Sequence, residues 1–327
     1  MNALFVSCAS AKEGFGHISR QRALAKVFKA HFWQCAFYLN DDESAASAVE
    51  TLAVTLFQWS EIAESFLSVL SELQPDVVIV DLPLAHYQEM IPVLSEQKTA
   101  SVVVIDKQDP KFKPDLTFIP AVQNESSPKW FHENTFAGKE WIIIDPELPA
   151  TKPKQVGDKP RVLFSVGGSC EGLKQYQAVL RHIAKKYHII SIIGPYTDKV
   201  AWLKQLSDHG VDDVEVVQNP VQPLARYAQC IAAITLFGVT AYELIALGIP
   251  LVLLPARTSD DQYIIEHLNR LGLCARANES NQDAVCTLME EMIAQSQTGV
   301  HKQPFIDGQG GMRIEKEVRA LVERSKL

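Results

Sequence analysis

The chain has no apolar run approaching the roughly 20 residues a helix needs to cross a bilayer. Its amino terminus lacks a basic region followed by a long apolar stretch and a small-residue cleavage site. These absences predict a soluble cytoplasmic protein. It also has no basic cluster, and the formal net charge is −8. That excludes nucleic acid as an expected partner, because affinity for a phosphate backbone rests on grouped Lys and Arg. The six cysteines (Cys8, Cys35, Cys170, Cys230, Cys274, Cys286) include no Cys-x-x-Cys pair. Structural zinc and a disulfide framework are therefore not expected, and most of the thiols read as small buried apolar groups.

What is present is enough for two cores. The 327 residues exceed the usual single-core limit, and 47% of them are hydrophobic. Charge divides unevenly: residues 1–150 hold 11 Lys/Arg against 20 Asp/Glu, and residues 151–327 hold 20 against 19. The second half is the better host for an anionic ligand. Short β-branched runs alternate with longer amphipathic segments, the pattern of parallel strands joined by helices. Strands are expected at Leu4 to Cys8, Val77 to Val80, Val102 to Ile105, Val162 to Val166, His188 to Ile193, Ile231 to Leu236 and Leu251 to Leu254. Helices are expected at Ser19 to Ala30, Trp59 to Leu73, Leu173 to Lys186 and Tyr242 to Leu247. The proline-rich, aperiodic stretch over 148–160 reads as a linker between a domain at 1–147 and a second at 161–327. Both domains read as doubly wound α/β units, whose ligands bind beyond the carboxyl ends of the strands.

Three segments carry candidate chemistry. Gly14-Phe15-Gly16-His17-Ile18-Ser19-Arg20 follows the first strand and places a histidine at the start of a helix. Gly14 and Gly16 would let the backbone approach a ligand, the first helical N–H groups face an anion, and His17 can exchange protons near neutral pH. Arg20 stands where the dinucleotide fingerprint has its third glycine, and no acidic residue clearly ends a second strand, so a nicotinamide enzyme is disfavoured. A plain helix-capping turn is the competing reading. Gly167-Gly168-Ser169 repeats the arrangement after the first strand of the second half, as a second anion cradle or as a simple tight turn. Gly238-Val239-Thr240-Ala241-Tyr242-Glu243 opens a further helix. Thr240 could donate to a phosphate and Glu243 accept from ribose hydroxyls, or the two could form a Thr-x-x-Glu capping box.

In order and spacing, these motifs resemble the GT-B superfamily branch that includes the MurG-type glycosyltransferases. The likeness extends through Leu247-Gly248-Ile249-Pro250, Asp260-Asp261-Gln262 and the carboxyl-terminal Asp307-Gly308-Gln309-Gly310-Gly311-Met312-Arg313-Ile314. Within that branch the chain looks most like the UDP-sugar hydrolases of pseudaminic acid biosynthesis, the PseG-like family. The resemblance implies two Rossmann-like domains facing a central cleft, with the last helix packing back on the first domain. It implies a UDP-sugar substrate, Glu243 on the ribose, Gly167, Gly168, Ser169 and Thr240 around the diphosphate, and Gln262 near the donor sugar. His17 would be the general base at the anomeric carbon. Neither metal nor cofactor is expected, in keeping with the absence of an Asp-x-Asp pair.

The departures lie in the amino-terminal half. The hydrolases usually carry Asp-x-Tyr after the strand at Val77, whereas here Asp81 precedes Leu82 and Pro83, with His86 and Tyr87 further on. The next strand ends in Asp106-Lys107 rather than paired aspartates. Arg20 and Arg22 are expected to face solvent. Hydrolysis releasing a free aminosugar is the expected reaction, with transfer to a lipid-linked or glycan acceptor as the alternative and a catalytically silent nucleotide-sugar binder as a third reading. Membrane contact is an option only for a transferase; Phe28-Lys29-Ala30-His31-Phe32-Trp33 is the one local candidate, and its aromatics are expected to be buried. Base, sugar, acceptor and oligomeric state stay open.

Overall fold

A computed structural model describes residues 1–96, 101–105, 112–122, 133–148, 159–166, 176–218, 224–256, 258–278, 281–297 and 305–326. They divide into two compact units, Met1–Pro146 with Gly308–Leu327, and Glu147–Asp307. Among the described residues, both sheets are wholly parallel, and both faces of such a sheet must be covered.

In the first unit the order is β1 (Asn2–Ser7), α1 (Gly16–Ala30), β2 (Gln34–Asn40), α2 (Glu43–Glu50), β3 (Thr55–Trp59), α3 (Ile62–Leu73), β4 (Val77–Asp81), α4 (Leu84–Ser95), β5 (Ser101–Ile105), β6 (Leu116–Ile119) and β7 (Thr135–Ala137). A 3₁₀ turn, Lys139–Trp141, follows. The seven strands lie in the order β3-β2-β1-β4-β5-β6-β7. The direction of winding therefore reverses between β1 and β4. Alternate residues serve opposite faces: Ala3, Phe5, Val77 and Ile79 pack with Leu24 and Phe28 of α1, while Leu4, Val6, Val78 and Val80 pack with Phe66 of α3 and Met90 of α4.

The second unit runs β8 (Arg161–Ser165), α5 (Gln177–Ala184), β9 (His188–Ile193), α6 (Lys199–Asp208), β10 (Val214–Gln218), α7 (Leu224–Tyr227), β11 (Ala232–Thr235), α8 (Val239–Ala246), β12 (Leu251–Leu253), α9 (Ser259–Arg270), β13 (Ala275–Arg276) and α10 (Gln282–Gln297). Its sheet order is β10-β9-β8-β11-β12-β13, with the reversal between β8 and β11. Helix α11 (Gly310–Ser325) then joins the first unit, where Ile314, Val318 and Val322 are fully buried in the α1-side core. The Trp33 indole donates to Glu315 Oε1 at 2.7 Å, and Arg319 donates to the same oxygen from Nε at 2.8 Å and Nη2 at 2.6 Å.

Several elements differ from expectation for identifiable reasons. Trp59 closes β3, in register with Asn40, and α3 begins only at Ile62. Helix α1 starts at Gly16, three residues before the expected Ser19, so His17 lies inside its first turn. Helix α8 starts at Val239 with Gly238 as its N-cap and no side-chain cap. The Thr240–Glu243 pair is therefore not a capping box, since Thr240 is already helical. The pattern does not predict strands β2, β3, β6, β7, β10 and β13. Most of the stretch expected as a linker, 149–158, lies outside the described residues, as do Asp106 and Cys170.

Candidate functional site

The first candidate site forms where the sheet reverses, between the carboxyl ends of β1 and β4. The turn leaving β1 is tightly fixed. Asn40, ending β2, accepts from Ala9 N at 3.0 Å and donates to Ala9 O at 2.7 Å. Ser10 and Gly14 pair through their backbones, with Gly14 N donating to Ser10 O at 2.8 Å, and Gly14 has φ 76°, a conformation that favours glycine. This turn delivers His17 onto α1 opposite Asp81, the last residue of β4. Asp81 is fully buried, and the side chains of His17 and Arg20 are each 15% exposed.

The three groups interlock. Arg20 donates from Nε to Asp81 Oδ2 at 3.0 Å and from Nη2 to Oδ1 at 2.8 Å, a two-point guanidinium–carboxylate pair. His17 Nδ1 lies 2.6 Å from Oδ1. A carboxylate paired with a guanidinium only accepts, so Nδ1 carries the imidazole hydrogen and donates it. Arg20 Nη2, 3.2 Å from that Nδ1, is then a second donor beside it. The lone pair is left on Nε2, the nitrogen free to take a proton. Arg20, expected to face solvent, is thus the partner of a buried carboxylate. Cys8, just past β1, is unsuited to act as a nucleophile, because burial and then the Asp81 charge push its thiol up to about 12. Of the remaining residues flagged in this half, Tyr87 is a core residue, 1% exposed and edge-on to Phe112. His86 sits at the start of α4, edge-on to Trp59 with ring centroids 5.4 Å apart.

The corresponding reversal in the second unit lies between β8 and β11. The residues after β8, Gly167, Gly168 and Ser169, lie outside the described residues. After β11 come Gly238, in extended backbone, and α8 carrying Thr240 and Glu243. A Cβ at Gly238 would meet no atom within 4 Å, and the same holds at Gly16, so packing within the protein requires glycine at neither position. Glu243 is 9% exposed, and Tyr227, a residue the sequence pattern does not single out, places its hydroxyl 3.5 Å from Thr240 Oγ1 one turn earlier on the same helix. Gln262, exposed on α9, donates to Glu266 Oε1 at 3.1 Å one turn along its own helix. Among the described residues, no group of three or more His, Cys, Asp or Glu side chains is arranged to hold a metal. The structure thus brings together His17 with Asp81 and Arg20, and Thr240 with Glu243 and Tyr227.

No family model matches the chain. The uncharacterized protein MJ1062 of Methanocaldococcus jannaschii is 23% identical over 295 residues, covering 83% of this chain and 59% of that protein. The chain therefore spans about 59% of the length of the curated relative it matches. Among solved structures, it is similar to a UDP-GlcNAc 2-epimerase from Neisseria meningitidis bound to UDP-GlcNAc, with TM-score 0.61, 13% identity and coverage of 98% of this chain and 100% of that one. It is likewise similar to MurG of Acinetobacter baumannii, with TM-score 0.59, 12% identity and coverage of 98% and 100%. At these identities the likeness establishes the fold, two parallel-sheet α/β units of the GT-B kind. No described helix is long and apolar enough to cross a membrane.

Proposed function

We propose that the protein acts at the anomeric carbon of a UDP-sugar, with His17 as general base, and that the reaction is hydrolysis of the PseG-like type. The carrying observation is the His17–Asp81–Arg20 arrangement at the strand reversal of the first unit, with the Nε2 lone pair of His17 left available. In the reaction, Nε2 takes a proton from water as its oxygen bonds to the anomeric carbon, and the bond to the diphosphate breaks with its electron pair on UDP. The Asp81 carboxylate stabilises the imidazolium so formed, and the imidazolium later loses its proton to solvent. Arg20 holds the carboxylate in place and neutralises it while His17 is uncharged. Glu243 takes the ribose hydroxyls, Thr240 and the backbone after Gly238 take the diphosphate with Gly167, Gly168 and Ser169, and Gln262 leaves Glu266 to reach the donor sugar.

Transfer to a lipid-linked acceptor is the competing reading, supported by the fold shared with MurG. The exposed aromatic of the basic-aromatic stretch weighs against it. Phe28 and Trp33 are buried as expected, while Phe32 is 93% exposed in a left-handed conformation with φ 65°. Phe32 follows the far end of α1 from His17, and 15 helical residues separate the two ends by about 22 Å. A membrane met through Phe32 would hold its lipid-linked acceptor well away from the base.

The test is incubation with a panel of UDP-aminosugars, without acceptor or added metal, followed by NMR. Equal release of UDP and free sugar, lost in His17→Ala with UDP affinity retained, supports hydrolysis. Tight UDP binding with no release from any donor favours transfer, and an epimerised nucleotide sugar would overturn both readings.

A further inference from the structure

The face of α1 that packs on the first sheet is apolar with one exception. Ile18, Leu24, Ala25 and Phe28 lie in the core they share with Ala3 and Phe5 of β1 and with Val77 and Ile79 of β4. Gln21 stands among them, 0% exposed, and neither its Nε2 nor its Oε1 has a hydrogen-bond partner among the described residues. Ser7, the last residue of β1, is likewise 0% exposed, with its Oγ unpartnered. A buried amide or hydroxyl without a partner forfeits the hydrogen bonds that water gave it in the unfolded chain, so something must meet these three atoms.

Their place in the fold brings them beside Asp81. Ser7 and Asp81 are direct partners across the parallel β1–β4 ladder, on strands roughly 4.8 Å apart. By the alternation that sends Ala3, Phe5, Val77 and Ile79 toward α1, both side chains point to that helix. Gln21 lies one turn beyond His17 on α1, and a helical side chain leans back toward the amino terminus of its helix, so the amide is carried toward the turn that holds His17. Asp81 has room for one more donor. Of about four acceptor positions on a carboxylate, Oδ1 uses two, for Arg20 Nη2 and His17 Nδ1, and Oδ2 uses one, for Arg20 Nε. Ser7 Oγ, the two ends of the Gln21 amide and the open position on Asp81 Oδ2 thus fall in one layer between α1 and the sheet.

What fits there is small, neutral and able both to donate and to accept. Ser7, Gln21 and Asp81 are all sealed from solvent, so no part of a nucleotide sugar reaches them without unpacking α1. Water meets each requirement, and a buried water typically makes about three hydrogen bonds. Because the ends of the amide point apart, a linked pair of waters is the smallest filling that serves every open position. We propose an internal hydration site beneath the His17–Asp81–Arg20 cluster, in which Ser7 and Gln21 hold water that donates to Asp81 Oδ2. Ser7 and Gln21 are thereby positioning residues, acting on His17 through the carboxylate to which it donates. The site follows from the packing of α1 on the sheet and depends on no particular reaction of His17.

A high-resolution crystal structure of the natural chain is expected to show water within hydrogen-bond reach of Ser7 Oγ, the Gln21 amide and Asp81 Oδ2. Ser7 and Gln21 bonded instead to each other or to the backbone, or no density between them, would overturn the site. Its effect on Asp81 is read by NMR at the His17 Nδ1 proton, compared between the natural protein and Ser7→Ala/Gln21→Met, which nearly keeps the volume at position 21 and removes the groups that hold water. A carboxylate that loses a donor is the stronger acceptor for those that stay, so the Nδ1 proton is expected to move downfield. Side chains that merely fill space would leave that resonance where it is, and this result would overturn the positioning role. If the double variant does not fold, Ser7→Ala and Gln21→Met are compared singly, with the same two outcomes. Neither measurement needs a substrate, so their failure is distinct from a failure of the hydrolysis reading.

Discussion

Replacing Asp81 by Asn changes few atoms and should reverse the polarity of the candidate base. The carboxylate accepts three contacts: Arg20 Nε on Oδ2, and Arg20 Nη2 with His17 Nδ1 on Oδ1. An amide has one accepting oxygen. If that oxygen stays opposite Arg20 Nε, the NH₂ group takes the place of Oδ1, 2.6 Å from His17 Nδ1, and demands an acceptor there. The imidazole hydrogen must then move to Nε2, the nitrogen that has to receive the proton. An Asp→Asn change acting by this route in a serine-protease triad costs on the order of 10⁴ in turnover, and a loss of about 10³ to 10⁴ is expected here, equivalent to about 4 to 5.5 kcal/mol of barrier. Stability should fall too, because Arg20 loses its counter-charge. Breaking a buried pair costs about 3–5 kcal/mol, and the 15% exposure of Arg20 favours the lower end. The assays are UDP release from the sugar nucleotide that the natural protein turns over, ¹⁵N shifts of the His17 ring for the tautomer, and urea unfolding. UDP affinity should be unchanged. Full turnover with the hydrogen still on Nδ1 would refute the assignment of Asp81 as the orienting group.

Glu243→Ala should weaken UDP binding by about 1–3 kcal/mol in calorimetry, the scale of hydrogen bonds to a charged group. The two glycine positions should separate folding from function. A Cβ at Gly310 would come 2.2 Å from the Ile142 carbonyl oxygen, so Gly310→Ala should cost about 1–3 kcal/mol and lower the melting temperature. Gly16→Ala, where a Cβ meets nothing within 4 Å, should melt as the natural protein does but turn over more slowly if a ligand approaches the backbone there. Finally, hydrogen bonds from Lys159 and then His188 hold Asp213 below the usual carboxylate range. Its contribution to stability is therefore present above the unfolded pKa of about 3.9 and lost as pH falls through the lower folded value. Urea midpoints measured from pH 5 to 3 should fall less steeply in Asp213→Asn than in the natural protein.

The parts of this architecture that were readable from sequence are those governed by near neighbours. Val77–Asp81 and His188–Ile193 are β-branched runs buried on both faces, and they stand out without reference to the rest of the chain. Gln34–Asn40 is buried on both faces as well, but its mixture of Cys, Phe, Tyr and Leu has no period, so it fits a helix as readily as a strand. The same distinction holds at the candidate sites. His17 is visible because two glycines flank it. Arg20 is three residues from His17 on the helix, yet its role depends on Asp81, 61 positions later, which only sheet order brings alongside. A carboxylate ending a strand next to β1 was the available signal, once the order β1-β4 was assumed. Tyr227 is hidden for the same reason, since its contact with Thr240 joins two helices with β11 between them in the chain. The capping-box alternative at Thr240 fell to a shift of helix start that no local pattern encodes.

The first unit is not built from one continuous stretch. Its core includes Ile314, Val318 and Val322, and a buried glutamate on the same helix holds the Trp33 indole. Everything from Glu147 to Asp307 is interposed before those side chains are made. On the ribosome the second unit can therefore finish folding while the first still has the hydrophobic face of α1 uncovered. The first unit is begun before the second and completed after it, and its uncovered core face invites misassociation until α11 emerges.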